Sequence, residues 1–116
     1  SSPVLWIELP HAAQGADVVF LPGFATVTYA KLGIFMPTTP SAQHSYSFFK
    51  TGSGTATGAV TVTTTGNFWT TTVAYSLTAL TDWMSVRHDT NAQDADETAT
   101  APHPDEGLKV YAALIP

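Results

Sequence analysis

The chain of 116 residues contains no cysteine and few charged side chains. The absence of cysteine excludes disulfides and thiolate zinc sites, so a hydrophobic core must hold the fold together. Charged residues make up 11% of the sequence, whereas an average domain has roughly 25%. Hydroxyl residues take their place. Such a neutral, β-favouring surface indicates a partner that is recognised by shape and hydrogen bonding.

Permanent cations are equally scarce. Lys31, Lys50, Arg87 and Lys109 stand singly along a chain of net charge −5. Phosphate binding requires clustered cations, so the sequence predicts no nucleic-acid partner. No apolar run approaches the length of about 20 residues that crosses a membrane, and the first residues do not resemble a signal peptide. We therefore expect no membrane association.

Helix signals are nearly absent, whereas strand signals recur along the chain. The apolar phase changes between Tyr29 and Leu32, which predicts a bulge near 30–33. The dipeptide Gly66-Asn67 predicts a tight hairpin turn between two neighbouring strands. The sequence thus predicts one all-β domain over 1–116, an antiparallel β-sandwich or jelly roll of about eight strands. The predicted strands are 4–9, 17–21, 24–36, 44–50, 59–65, 69–77, 83–88 and 108–115.

Residues 89–107 form a predicted acidic loop without apolar period. Alternating oxygen ligands in such a loop can bind Ca²⁺, and the candidates are Asp89, Asn91, Asp94 and Asp96. The EF-hand pattern fails, because Asp94 stands at the sixth position and Thr100 at the twelfth. We therefore expect a solvated loop, with calcium as the alternative.

His88 and His103 flank this loop, and with Asp89 or Asp105 they could in principle bind zinc. Their spacing matches no local zinc motif. We therefore expect histidines at the surface or at an interface, where they would make contacts sensitive to mild acid.

Catalytic motifs are missing. The sequence has no Gly-x-Ser-x-Gly elbow, and the glycine-rich run 52–58 lacks the lysine of a P-loop and precedes a strand. Paired carboxylates for glycoside cleavage would have to come partly from the acidic loop, which is a poor place for a tuned general acid. We expect no enzymatic activity and no cofactor.

Large amphipathic aromatic side chains are the remaining candidates for function, because exposed ones anchor protein interfaces or stack on sugars. Phe68 and Trp69 are neighbours next to the predicted turn and point to opposite faces of a strand, so we expect this pair to be partly exposed. The predicted binding residues are Trp6, Phe68, Trp69, Trp83 and Tyr111.

The last third of the chain resembles a known family. Residues 75–91 read YSLTALTDWMSVRHDTN and are followed by the acidic loop and the terminal run VYAALI. This resembles the end of jelly-roll domains of tailed bacteriophages, found in capsid decoration proteins and in the head domains of tail or head fibres.

The resemblance implies a non-enzymatic protein of the virion surface, usually trimeric, that reinforces the capsid or touches the host. Its partners would be the major capsid protein, other virion proteins or a host-surface glycan. Two other functions remain open from the residues alone. One is a carbohydrate-binding module, and the other is an extracellular filament subunit that donates a strand to the next copy.

Overall fold

In the computed structural model, the described residues are 4–9, 17–20, 27–50, 56–71, 75–77, 83–89, 105 and 107–116. They form strands and connections, with no helix, so the predicted all-β class is confirmed. The strands of this part of the chain are β1 (Leu5–Leu9), β2 (Asp17–Phe20), β3 (Val27–Tyr29), β4 (Lys31–Phe35), β5 (His44–Lys50), β6 (Gly58–Val62), β7 (Phe68–Thr71), β8 (Tyr75–Leu77), β9 (Met84–Asp89) and β10 (Val110–Ile115).

Two four-stranded antiparallel sheets make up most of the described structure. The first, called sheet A, has the order β1-β10-β4-β7, and the second, sheet B, has the order β2-β9-β5-β6. Strands β3 and β8 form a separate antiparallel pair. The last strand, β10, lies inside sheet A between β1 and β4, as its high apolar content predicts.

The core lies between the inward sides of the two sheets. Alternation along each strand places every second residue there, which is the pattern of sheets with one covered face. The fully buried side chains include Tyr46, Phe48, Leu32, Ile34, Met36, Met84, Leu114, Val62 and Val86. Burying one such Leu or Ile side chain contributes about 1.5–3 kcal/mol. This hydrophobic core therefore supplies most of the stability, without disulfide bonds.

The predicted change of phase between Tyr29 and Leu32 is confirmed. Both side chains are buried although they are three residues apart, and the strand is interrupted at Ala30. The backbone N–H of Ala30 donates to the carbonyl of Ile115 at 2.8 Å, outside the regular ladder. This irregularity allows both Tyr29 and Leu32, which lie on opposite parities of the sequence, to point into the core.

The predicted hairpin at Gly66-Asn67 is wrong. Strand β6 pairs with β5 in sheet B, whereas β7 pairs with β4 in sheet A. The chain therefore crosses from one sheet to the other over 63–67. Gly66 does adopt the left-handed conformation of a turn residue, with φ of 86°. The predicted alternation of buried Val60 and Val62 with exposed Thr61 is confirmed, but alternation does not specify the partner of a strand.

Candidate functional site

The outward side of sheet A carries a cluster of four aromatic side chains, one from each strand. Trp6 is on β1, Tyr111 on β10, Phe35 on β4 and Phe68 on β7, and we call this surface the aromatic face. Register places Tyr111, Phe35 and Phe68 directly opposite one another across three strands, and Trp6 lies one row away. Trp6 is 53% exposed and Phe68 45% exposed.

The four rings touch in a continuous chain of contacts. Trp6 lies 6.1 Å from both Phe35 and Phe68, measured between ring centroids. Phe35 lies 6.5 Å from Phe68 and 6.2 Å from Tyr111. These separations are typical of edge-to-face and tilted aromatic pairs, each of which stabilises by about 0.5–1.5 kcal/mol beyond burial of its area. The rings therefore hold one another in place on an open surface.

Small residues beneath the rings give the aromatic face its shape. Gly33 and Ala113 are register partners on this side of the sheet, in the same row as Trp6. A Cβ atom at Gly33 would lie only 2.9 Å from Cε1 of Phe68 and 3.1 Å from Cγ2 of Thr70. The Phe68 ring thus lies over the bare backbone of Gly33 and reaches Trp6 because this position has no side chain.

A concavity of about 450 Å³ opens on the aromatic face and is lined by Trp6, Phe35, Pro37 and Tyr111. The backbone beside Pro37 is fixed by Asn67, whose amide Nδ2 donates to the carbonyls of Met36 at 3.0 Å and Pro37 at 3.2 Å. The lining is therefore apolar and held by the connection between the two sheets.

The rim of the aromatic face carries an exposed ion pair. Nζ of Lys109 donates to Oε2 of Glu8 at 3.2 Å. The hydrogen bond to Glu8 and its negative charge raise the pKa of Lys109. Both charges are solvated, so the pair contributes little to stability, but it places one charge of each sign beside the rings.

The sequence-predicted binding residues divide between two environments. Trp6, Phe68 and Tyr111 meet on the aromatic face. Trp69 points to the opposite side of β7, is half-buried against the core, and donates from Nε1 to Oγ1 of Thr63 at 3.0 Å and to the carbonyl of Thr65 at 3.3 Å. Trp83 precedes β9 and is half-buried. Neither of these two tryptophans belongs to the face.

Sequence reasoning missed Phe35 and Pro37. Phe35 lies on the outward parity of β4, opposite to buried Leu32 and Ile34. That parity was the available signal, since an aromatic residue out of phase with the core residues of its strand must lie on the outer side. Pro37 gave no such signal, because its position depends on the contact with Asn67.

A second feature is a chain of buried polar side chains at one end of the core. Nε2 of His44 lies 2.7 Å from Oδ2 of Asp105, and Nδ1 of His44 lies 3.0 Å from Nε2 of His88. The three side chains are almost fully buried. The ring of Tyr46 stacks on His88, with centroids 4.6 Å apart and planes at 16°.

Asp105 connects this chain to the segment between β4 and β5. Its Oδ1 accepts hydrogen bonds from the backbone N–H and the hydroxyl of Ser41, at 2.9 and 2.8 Å, and its Oδ2 accepts the N–H of Ala42 at 3.2 Å. Burial by itself raises the pKa of Asp105, but the hydrogen bonds from Ser41, His44 and Ala42 outweigh it and lower the pKa below its ordinary value.

These observations correct the expectation for the histidines. His88 is not a surface histidine, since it is 4% exposed and lies on the inward side of β9 with Met84 and Val86. Asp105, expected in a solvated loop, is 3% exposed. The parity of His88 with Met84 and Val86 was visible in the sequence, whereas Asp105 gave no sign of its partner, which lies 61 residues earlier in the chain.

Metal binding finds no support in the described residues, where no group of three or more His, Cys, Asp or Glu side chains could hold an ion. The calcium candidates Asn91, Asp94 and Asp96 lie outside the described residues, as does His103. Asp89 ends β9, but its side chain is also outside the description.

Comparisons with known proteins give no match to a protein-family model, to a curated protein or to a solved structure. Within the part of the chain that the structure describes, no helix is long and apolar enough to span a membrane.

Proposed function

We propose that this chain is a non-enzymatic jelly-roll domain that assembles with copies of itself through the aromatic face, as a structural protein of a virion surface does. The carrying observation is the cluster of Trp6, Phe35, Phe68 and Tyr111 on the outward side of sheet A. The resemblance of residues 75–91 to bacteriophage decoration and fibre-head domains supplies the viral part of the proposal.

The order of the strands supports the jelly roll. The chain pairs β1 with β10, β2 with β9, β4 with β7 and β5 with β6, so its first half runs beside its second half as a folded ribbon. If β3 and β4 count as one interrupted strand, and β7 and β8 as another, eight strands remain with the orders 1-8-3-6 and 2-7-4-5. This is the wrapping of a jelly roll, which is common among viral capsid proteins and lectins.

The contrast between the two outer faces supports a buried role for one of them. On the outward side of sheet B, Ser47, Phe49 and Ser85 are already buried, and the guanidinium of Arg87 lies 4.6 Å from the ring centroid of Phe49. On sheet A the outward side carries four rings in contact with one another, and Trp6 and Phe68 among them remain exposed. The outer side of sheet A therefore leaves large apolar side chains open to a partner.

A second copy is the occupant that best fits the aromatic face. Aromatic residues are enriched and charges depleted at the centres of protein interfaces, with charges left at the rim. The rim here has both signs, in Glu8 and Lys109, so one copy can complement another without a strongly charged partner. The resemblance favours a trimer.

Carbohydrate binding is the second candidate function. The concavity lined by Trp6, Phe35, Pro37 and Tyr111 has a volume of about 450 Å³, which lies within the usual range for small-ligand sites. Its polar rim beside a tryptophan suits a sugar ring stacked on Trp6. The filament alternative has less support, because β1 pairs within its own sheet and contributes Leu9 to the core.

Sedimentation and light scattering test the proposal. We expect the wild-type chain to form a discrete oligomer, and Phe68→Ser to shift it to monomer at the same concentration, because the ring of Phe68 is exposed and contacts both Trp6 and Phe35. Thr61→Ser, at an exposed position of β6 in sheet B, is the matched control and should remain oligomeric.

A wild-type chain that stays monomeric at all accessible concentrations would contradict assembly through this face. Glycan-array binding that is abolished by Trp6→Ala in such a monomer would instead favour the carbohydrate-binding function.

A further inference from the structure

We propose that Ser41, His44, His88 and Asp105 form an acid-operated latch, which holds residue 105 and residues 41–42 against the core at neutral pH and releases them when the two histidines take up more than one proton. The latch is defined by four contacts between 2.7 and 3.0 Å: Ser41 N and Oγ to Asp105, Asp105 to His44, and His44 to His88.

Elementary hydrogen-bond chemistry fixes the protons of the neutral latch. An ionised carboxylate only accepts, so Nε2 of His44 carries the hydrogen that Asp105 receives. Nδ1 of a neutral His44 is then bare, and it must accept the hydrogen on Nε2 of His88. Each of the two short contacts therefore contains one proton, and the tautomers of both rings are determined.

One additional proton can be taken up without breaking the contact between the two rings. It resides on the His88 ring at Nδ1, while the hydrogen between the rings remains a single one, attached either to Nε2 of His88 or to Nδ1 of His44. The negative charge of Asp105 compensates the positive charge that the pair acquires, since the three groups are connected by contacts of 2.7 and 3.0 Å.

A second additional proton is not compatible. Both Nδ1 of His44 and Nε2 of His88 would then carry hydrogens that point at each other across 3.0 Å. The two rings, with centroids 5.0 Å apart, would both be cations in a buried site where the described residues supply one carboxylate, that of Asp105. The contact between β5 and β9 side chains at this end must then open, and water must enter.

The groups that surround the latch leave this result unchanged. Beside its own members, β5 contributes Tyr46, whose ring stacks on His88, and β6 contributes buried Val60 and Val62 on the same inward side. The described charged side chains of β5 and β9 are farther from the two histidines. Lys50 is at the opposite end of β5, and exposed Arg87 lies over Phe49 on the outward side of sheet B.

The latch also adjoins the aromatic face. Ser41 follows Pro37 by four residues, and Tyr111 follows Asp105 by six residues. Pro37 and Tyr111 both line the concavity. Release of the latch is therefore expected to loosen two sides of the face. This last step depends on the proposed function, whereas the opening itself does not.

Amide hydrogen exchange by NMR tests the latch directly, because the N–H groups of Ser41 and Ala42 are donors to Asp105. After correction for the intrinsic pH dependence of exchange, we expect protection of these two amides to fall at least tenfold between pH 7.5 and pH 4.5, while amides of β4 and β10 keep theirs. The nitrogen shifts of the imidazoles at pH 7.5 should show His44 and His88 both with hydrogen on Nε2.

Variants separate the second proton from general acid effects. His88→Gln can still donate to Nδ1 of His44 but cannot take up a proton, so its two amides should stay protected at pH 4.5. His11→Gln, a histidine outside the described residues, is the control and should behave as the wild type. The proposal would be overturned if protection of the Ser41 and Ala42 amides in the wild type did not change with pH. It would also be overturned if His88→Gln lost as much of this protection at pH 4.5 as the wild type.

The two proposals fail in different measurements. If Phe68→Ser dissociates the oligomer at pH 7.5 but the exchange protection of the Ser41 and Ala42 amides does not change with pH, only the proposed latch is wrong. If His88→Gln fails to fold, the imidazole shifts and the amide protection of the wild type still decide, because other tautomers or pH-independent protection would each contradict it.

Discussion

Substituting alanine at Gly33 should separate the stability of the domain from the use of the aromatic face. The new methyl group would lie 2.9 and 3.2 Å from two ring atoms of Phe68 and 3.1 Å from the Thr70 methyl. Phe68 is 45% exposed, so its ring can rotate away into solvent. The backbone at Gly33 is ordinary strand, and positive φ does not arise there. The substitution therefore displaces a ring and leaves the strand in place.

The expected change in the free energy of unfolding is small. Displacing Phe68 removes its ring contacts with Trp6 and Phe35, at about 0.5 kcal/mol each for exposed pairs. Alanine recovers about 0.4–1 kcal/mol, because it restricts the unfolded chain more than glycine does. The net loss should therefore be about 1 kcal/mol or less. Association should suffer more if Phe68 is a hot spot of the interface, since losing a hot-spot aromatic side chain costs about 2 kcal/mol or more, which is roughly 30-fold in the dissociation constant.

Urea unfolding and concentration-dependent sedimentation measure the two effects on the same sample. Gly107→Ala is the matched control, because a methyl group there would have no described neighbour within 4 Å. It should raise the free energy of unfolding by about 0.4–1 kcal/mol through the unfolded chain and leave association unchanged. Unchanged association in Gly33→Ala would refute the role of Phe68 in the interface. A loss of stability above about 3 kcal/mol would show that the ring cannot move and that the strand itself is distorted.

Other changes test the remaining contacts. Asp105→Asn should destabilise the domain at pH 7 by about 2–4 kcal/mol in urea unfolding, because it removes the buried charge that accepts from Ser41, Ala42 and His44. Because the folded pKa of Asp105 is lowered, this contribution is present above the ordinary carboxyl pKa and is lost as the pH falls through the folded value, so wild type and variant should converge in strong acid. Lys109→Ala should leave the unfolding free energy unchanged within the error of urea unfolding, since its ion pair with Glu8 is exposed. Gly66→Ala should lower the free energy of unfolding by about 1–2 kcal/mol, because φ of 86° strains any residue with a Cβ even where the space is open.

The strands were predictable because alternation is a local property. Buried Val60 and Val62 with exposed Thr61 identify β6 without knowledge of any other strand. The partner of β6 was not predictable in the same way, since Gly66-Asn67 indicates only that the chain turns. Whether a turn joins strands of one sheet or carries the chain between sheets depends on which neighbour each strand meets first.

The aromatic face was predictable only in part, for a different reason. In β1 the parity is readable, because Glu8 shares the side of Trp6 and marks that side as outward, while Leu5 and Ile7 pack on the core. The sequence does not reveal which strands lie beside β1. The rings of Phe35 and Phe68 come close to Trp6 only through the strand order β1-β10-β4-β7.

The buried latch could not be found from sequence, because its members are distant and each has an ordinary local explanation. His44 is the first residue of β5, His88 is the last but one of β9, and Asp105 follows an acidic run. Only the packing of sheet B brings the two rings together, with Val62 opposite His44 and Tyr46 opposite His88. Buried polar groups of this kind depend on long-range geometry, and they are where sequence patterns give the least information.

The aromatic face and the latch should nevertheless respond independently at neutral pH. The rings of the face contact one another and the backbone of sheet A, whereas the latch joins side chains on the inward side of sheet B to Asp105. They are linked along the chain by residues 36–43, in which Pro37 is held by Asn67 and Ser41 by Asp105, and by the residues that lead from Asp105 to Tyr111. With the latch closed, His88→Gln leaves the Asn67 contacts and all four rings in place, so it should not alter association at pH 7.5. We therefore expect the latch to affect the aromatic face only in acid, where residues 36–43 lose the contact of Ser41 with Asp105 and keep that of Pro37 with Asn67.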